Sequence, residues 1–362
     1  MALATYLLLE TKHLKKCLRA VPWRIHIYGT RGKSGLTRRV MDLLRHNGVN
    51  ALGRTSGDRA LLYYPDGLTR EQRRLGAPNI REYIGCVRKA GALGCRALVM
   101  ECMALAPENV LQAKKILSPT HLLLTNTRPD HHEVQGRLPE DIVRALALSL
   151  GTEQKNFALK DAGGDVLRAA AARSNAHLVM PEADDVPPDA QAGLLERHLA
   201  RDLSLNLPER PPDNWPAFVR TRLADGGKVL FLDLFSANDV ESSRLLLHKA
   251  LERMARTDAP LAAVFNTRND RPLRTRAFVE WFAAERIFTL YVLLGSHVPY
   301  ALRAMRRRGL GPAQAYAWSV PPAEALLADI CRKLGPAAAV VGLGNFHGRA
   351  EALRTALNGE PA

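Results

Sequence analysis

Residues 25–34 read Ile-His-Ile-Tyr-Gly-Thr-Arg-Gly-Lys-Ser. The apolar and polar residues alternate as in a strand, the run breaks at Gly29, and a helical pattern starts near Ser34. Glycines at 29 and 32 let the backbone curl, so that several N–H groups and a helix N-terminus converge on one anion, ideally a phosphate. In such a loop Lys33 reaches the terminal phosphates of a nucleotide and the Ser34 hydroxyl can hold Mg²⁺. The spacing is a variant: the common phosphate-loop pattern has glycine where this chain has Ile27. An ordinary glycine-rich turn is the competing reading, and the position between a strand and a helix favours the phosphate loop.

Working outward, short apolar runs predict buried strands at 24–28, 96–100, 121–125, 177–180, 228–233, 262–266, 288–294 and 338–341, with helices at 36–47, 80–92, 141–150, 242–255 and 323–334. Strands alternating with helices of this length imply parallel, right-handed crossover units and hence an α/β fold. A chain of 362 residues exceeds one ordinary domain. Pro208, Pro211 and Pro212 punctuate it most strongly, and we place a domain boundary there. The predicted organisation is an N-terminal helix over 1–20, an ATP-binding domain over 21–212 and a smaller α/β domain over 213–362.

Composition narrows the partners. With 51 Lys and Arg against 36 Asp and Glu, the net charge is +15, which calls for an anionic partner. Aromatic residues make up only 6% of the chain and no familiar nucleic-acid signature is present, so we expect no nucleic acid. Five scattered cysteines give neither a zinc pattern nor an even disulfide framework, which fits a reducing, cytoplasmic setting. The first segment carries its charges after its apolar run, the reverse of a signal peptide. It reads as an amphipathic helix packed on its own domain, with docking to a membrane or partner as the alternative.

In a parallel sheet the C-terminal strand ends gather on one edge. Glu101 ends the run 97–100, and His131 follows the run 121–125, so both can meet a metal held by Ser34. Asn266–Arg276 carries Arg268, Arg271 and Arg274, suited to carboxylate or phosphate, with a surface arginine loop as the plain alternative. Residues 342–348, Gly-Leu-Gly-Asn-Phe-His-Gly, follow another buried run and offer Asn345 and His347. The cluster Arg306–Arg308 reads as a solvated helix end.

GTRGKS at 29–34, ECMA at 101–104 and TNTRPDHHEVQG at 125–136 resemble the ATP-binding core of the Mur-ligase superfamily. GAPNI at 76–80, FSAND at 235–239, NTRNDR at 266–271 and GLGNFHG at 342–348 narrow the likeness to the poly-γ-glutamate synthase ligase subunit family, PgsB/CapB. The resemblance implies a Mur-ligase-like P-loop ATPase domain with a mainly parallel sheet, plus a smaller Rossmann-like α/β domain. It implies an ATP-dependent amide ligase that activates a carboxylate as an acyl phosphate and joins glutamate through γ-amide bonds, with ATP and Mg²⁺. It further implies that Ser34, Glu101 and His131 are metal ligands, that Lys33, Glu101, His131 and Arg271 are catalytic, and that Gly29, Thr30, Arg31, Gly32, Lys33, Ser34, Thr55, Asn126, Asn238 and Asp239 bind nucleotide. Arg268, Arg274, Asn345 and His347 are the implied contacts of the amino-acid substrate.

The implied partners are glutamate, a γ-glutamyl chain and a small multispanning membrane subunit, at the inner face of the cell membrane, with homo-oligomerisation compatible. Two departures stand out. Leu146 occupies the place of the lysine that many Mur ligases carbamylate, and the chain begins almost directly at the ATPase domain, which argues against cell-wall precursor synthesis. The alternatives are a folylpolyglutamate-like or other Mur-type ligase with a different acceptor, and a nucleotide-dependent polyanion-binding regulator.

Overall fold

A computed structural model describes residues 2–354, apart from 57–59, 73–78, 104–105, 128–138, 182–187, 211–216, 223–227, 236, 238, 255–258, 270, 317–321, 336, 346–347, 349 and 352. The chain divides into two compact units, Met1–Asp213 and Asn214–Ala362.

The first unit is built around β1 (Trp23–Tyr28). This strand lies between β5 (Ala97–Glu101) and β6 (His121–Leu124), parallel to both. The sheet continues through β7 (Lys155–Ala158) and β8 (Leu178–Val179) on one side. On the other it continues through β2 (Ala51–Arg54), β3 (Leu61–Tyr63) and β4 (Thr69–Glu71), the last two antiparallel to their neighbours. The period of two along β1 sorts its side chains. Ile25 and Ile27 face a core shared with Leu36, Val40 and Leu44 of α2 (Lys33–His46) and with Leu195 and Leu199 of α7 (Pro188–Asp202). Tyr28 joins the opposite core with Tyr83 and Val87 of α3 (Glu82–Ala92) and Val110 of α4 (Pro107–Leu117). Each wholly buried isoleucine contributes roughly 1.5–3 kcal/mol, so these two residues fix the register of the central strand firmly.

Helices α5 (Pro139–Ala147) and α6 (Gly164–Arg173) complete the unit. Leu146 of α5 is a packed apolar side chain, buried in the same core as Tyr28. The N-terminal helix α1 (Ala2–Ala20) also packs on this unit: Cys17 joins the core and lies against Gly91, while Glu10 pairs with Arg88 at 3.1 Å. No described helix is long and apolar enough to cross a membrane.

The second unit is a six-stranded sheet in the order β13-β12-β11-β14-β10-β9. These strands are β9 (Val219–Arg222), β10 (Lys228–Asp233), β11 (Leu261–Thr267), β12 (Leu290–Gly295), β13 (Ala313–Tyr316) and β14 (Ala339–Gly344). Among the described strands, only β9 is antiparallel. Its helices are α8 (Val240–Glu252), α9 (Pro272–Glu285), α10 (Val298–Arg307) and α11 (Ala323–Leu334). Strands β11 and β14 are buried along their whole length, as parallel strands covered on both faces must be. Phe265, Phe278, Phe282 and Tyr291 pack ring against ring in one of the two cores.

Candidate active site

The C-terminal ends of β1, β5 and β6 stand side by side, because Ile27 is in register with both Glu101 and Leu123. The chain leaving β1 turns at once. Gly29 has φ +130°, and a Cβ there would lie 2.0 Å from the Thr125 hydroxyl, so only glycine lets the loop pass this close to the end of β6. Gly32, at φ +75°, then caps α2 in the left-handed conformation, and the helix starts at Lys33.

Asn126 spans the loop. Its Oδ1 accepts from the Thr30 hydroxyl at 2.8 Å and from the Arg31 N–H at 3.2 Å, and its Nδ2 donates to the Arg31 carbonyl at 3.1 Å. The Thr125 hydroxyl donates to that same carbonyl at 2.6 Å. Residues from the end of a neighbouring strand therefore set the loop's curvature, which fixes where its N–H groups point. Lys33 Nζ donates to the carbonyls of Gly29 and Thr30, at 2.7 and 3.4 Å, which holds its charge over the crown of the loop.

Glu101, at the end of β5, is 3% exposed. One carboxylate oxygen accepts from Ser34 Oγ at 2.8 Å and the other from Ser56 Oγ at 2.6 Å. Among the described residues its hydrogen-bond partners are hydroxyls and it forms no ion pair. A carboxylate this deeply buried without a cation is costly, so a divalent ion with oxygen preference fits the position. Ser34 and Glu101 supply hard donors for such an ion, and the remaining positions of an octahedral shell would fall to water and phosphate oxygens. No group of three or more His, Cys, Asp or Glu able to hold a metal occurs among the described residues.

The structure separates Thr55 from its neighbour. The Thr55 hydroxyl accepts from the Leu61 N–H at 3.1 Å and its own N–H bonds the Leu61 carbonyl, so it closes the turn between β2 and β3. Among the described residues of this loop, Ser56 is the one that reaches Glu101. It carries no motif signal of its own, and only its place at the end of a strand neighbouring β5 could have pointed to it.

Beneath the site a buried polar pair supports β5. His26 Nε2 lies 3.0 Å from the Tyr83 hydroxyl, which donates to the Glu101 carbonyl at 3.4 Å. Burial pushes the His26 imidazole down to about 3, which keeps it neutral. Arg54, wholly buried, bonds Gln72 at 2.7 Å and pairs with Glu82, tying β2 to the start of α3.

In the second unit the strand ends are organised by backbone. A Cβ on Gly295 would lie 2.1 Å from the Thr267 carbonyl, and one on Gly344 would lie 2.4 Å from that of Asn266. Asn266 clasps Asn345 through two bonds: its carbonyl accepts from the Asn345 N–H at 3.0 Å and its Nδ2 donates to the Asn345 carbonyl at 2.6 Å. Asn345 is itself buried. Arg268 and Arg271 follow β11, and Arg274 lies in the first turn of α9. Asp239 caps α8, accepting from the Ser242 N–H at 2.8 Å, so one of its oxygens is committed to the helix. The structure thus gathers Gly29–Ser34, Glu101 and Asn126 at one sheet edge, and Arg268, Arg271, Arg274, Asp239 and Asn345 at the corresponding edge of the other sheet. His131, Asn238 and His347 lie outside the described residues.

Residues 219–360 match the family described as the poly-gamma-glutamate synthase CapB C-terminal domain. This part of the chain therefore carries a CapB-type C-terminal domain. Across nearly its full length it is also similar to curated CapB proteins. It is 24% identical to the PGA synthase CapB of Bacillus subtilis over 96% of this chain and 93% of that one. It is likewise 24% identical to the capsule biosynthesis protein CapB of Bacillus anthracis, over 97% of this chain and 80% of that one. Among solved structures, E. coli FolC in complex with DHPP and ADP aligns with TM-score 0.58 at 14% identity, covering 93% of this chain and 89% of that one. MurF ligase from Thermotoga maritima in complex with ADP aligns with TM-score 0.59 at 13% identity, over 96% and 82%. The CapB-like chain therefore has a Mur-ligase fold. The loop 29–34 lies in the first unit, outside the matched CapB domain, where the full-length relatives and the shared fold carry the likeness.

Proposed function

We propose that this CapB-like chain is an ATP-dependent amide ligase that joins glutamate through γ-amide bonds, releasing ADP and phosphate. The observation that carries the reading is similarity to a PGA synthase over 96% of the chain, together with a glycine loop whose Ser34 meets a buried Glu101 that forms no ion pair among the described residues. A solved relative from Yersinia pestis, described as complexed with AMPPNP and Mn ion, supports nucleotide and a divalent cation for this fold.

The chemistry asked of the protein is mostly positioning and charge neutralisation. A carboxylate oxygen attacks the γ-phosphorus of ATP, the bond to the ADP oxygen breaks, and an acyl phosphate results. The incoming amine then attacks the acyl carbon, phosphate departs with the former carboxylate oxygen, and the nitrogen loses a proton. The loop N–H groups and Lys33 hold the phosphates while Arg31 adds positive charge at the loop. Ser34 and Glu101, with His131, would hold Mg²⁺, which when bound offsets phosphate charge. Ser56 keeps Glu101 oriented, and Tyr83 holds its main chain. Arg268, Arg271, Arg274 and Asn345 are assigned to the carboxylates of the amino acid and acceptor, for which arginine's planar fork suits bidentate pairing. A small membrane subunit and a place at the inner face of the cell membrane complete the proposal.

Incubation of native membranes with labelled glutamate and ATP is expected to give γ-linked product in step with ADP. ADP formation indifferent to every amino acid and acceptor offered would overturn the reading. Transfer of glutamate to a pteridine acceptor instead would replace it with a folylpolyglutamate-type activity.

A further inference from the structure

Five arginines stand in a stretch of the second unit that contains no carboxylate at all. From Arg286 to Ala323 the chain has no Asp or Glu, yet it carries Arg286, Arg303, Arg306, Arg307 and Arg308. Helix α10 sorts them. Val298, Ala301 and Met305 are buried, and Arg303, Arg306 and Arg307, spaced by three and four residues, share the exposed face. Among the described residues these three make no ion pair. Arg308 is the exception, pairing at 3.5 Å with Glu280, which Arg276 already engages at 2.8 Å. Arg286 donates to the carbonyls of Arg308 and Gly309, at 2.9 and 3.3 Å, and so pins the turn that ends the helix.

A helix C-terminus favours one or two cations through its dipole. The excess here is larger, on a rigid element, and held within two turns. Its place is also informative. Helix α10 leaves β12 at the edge where Gly295 meets Thr267, and ends where the chain enters β13, whose Ala313 is in register with Tyr291 near the start of β12. The arginines therefore sit at the opposite edge of the sheet from Asn345 and Arg271, about 20 Å away by the length of a six-residue strand. A single glutamate bound at one edge cannot reach the other, whereas a polymer can.

We propose that the exposed face of α10, with Arg303, Arg306, Arg307 and Arg308, is a secondary binding surface for a polycarboxylate chain, the γ-glutamyl polymer. The inference rests on the ligase reading and extends it. Regularly repeated carboxylates match adjacent guanidinium groups, and weak individual pairs become effective when several engage one chain already tethered at the site.

The test measures binding of purified poly-γ-glutamate by the full chain without ATP, so it does not depend on turnover. Arg303→Gln, Arg306→Gln and Arg307→Gln are combined in one variant, whose unchanged thermal unfolding shows that it folds. Long chains are expected to bind the wild type in a salt-sensitive way and to bind the variant about tenfold more weakly, as the loss of three exposed pairs predicts. Diglutamate is expected to show no difference. Equal binding of long chains by both proteins, or no binding by either, overturns the proposal. So does loss of binding confined to phosphatidylglycerol vesicles, which would make the surface a lipid contact. If the protein binds polymer as expected but forms no γ-amide, the ligase reading fails while this surface stands.

Discussion

The edges of the two sheets differ in what builds them. In the first unit the site is made of side chains locked to one another: Asn126 to Thr30 and Arg31, Ser34 and Ser56 to Glu101, Lys33 to the loop carbonyls. In the second, the described edge is made mainly of backbone, shaped by Gly295 and Gly344 and clasped by Asn266, with half-buried arginines beside it. The difference suits the proposed roles. Phosphoryl transfer needs charges fixed before the substrate arrives, whereas carboxylate recognition relies on the planar fork of a guanidinium group.

The largest effect should follow from breaking the locked side. Glu101→Gln keeps the shape and both oxygen-facing contacts in part, but removes the charge that a cation would neutralise. We expect ADP formation to fall by about 10²–10³, the loss typical of a deleted electrostatic group. Direct Mn²⁺ binding, followed by electron paramagnetic resonance, should weaken in parallel. Ser56→Ala leaves Glu101 with one hydroxyl partner and should cost about tenfold, the scale of a lost supporting contact at a metal site. Activity of Glu101→Gln within tenfold of wild type would show that the buried carboxylate is structural and that the two edges are less different than they look.

Glycines offer a second way to sharpen the contrast, because each edge depends on one that no other residue can replace. Gly29→Ala places a Cβ into the Thr125 hydroxyl and Gly344→Ala places one against the Asn266 carbonyl, both at positive φ. Each should destabilise its own unit by about 1–3 kcal/mol or more, the range for strained backbone. Gly29→Ala is expected to abolish binding of an ATP analogue measured by calorimetry. Gly344→Ala should leave that binding intact while lowering the melting temperature. Equal loss of nucleotide in both variants would mean that the second edge supports the first.

Legibility followed the same division. The contiguous strand–loop–helix over residues 25–34 could be read from the sequence, because strand alternation, two glycines and a Lys-Ser pair fall close together in the chain. Helix α11 appears over the predicted residues, since its apolar period is undisturbed. The short strands β2, β3, β4 and β7 carry no long apolar run and were not foreseen: Thr69–Glu71 is polar throughout and exposed, and Lys155–Ala158 spans four residues. Ser56 was missed for a related reason. It matters only because β2 lies beside β5, and pairing across 45 positions leaves no local trace. Asp239, read as a nucleotide contact, also supplies the helix cap that its place three residues before Ser242 allows.

Acid provides the smallest and most selective test, because the first unit holds a histidine that resists protonation while folded. His26 is wholly buried, its Nε2 meets the Tyr83 hydroxyl, and its Nδ1 has no partner among the described residues. Burial lowers its value from the usual 6.5 to about 3. Above pH 6.5 the imidazole is neutral in both folded and unfolded chains, so it leaves stability unchanged. As pH falls from 6.5 towards 3, the unfolded chain binds a proton that the folded one refuses, and stability drops by at most about 1.4 kcal/mol per pH unit. His121, lowered by burial although Asp202 opposes the shift, acts in the same direction and in the same sheet. Hydrogen exchange followed peptide by peptide from pH 7 to pH 4 should therefore show protection fading earlier in β1, β5 and β6 than in β11 and β14. His26→Gln, which has no proton to gain, should flatten the acid dependence of the first unit by one proton and leave the second unit's unchanged. An unaltered slope would locate the acid sensitivity elsewhere and remove His26 from the support of Glu101.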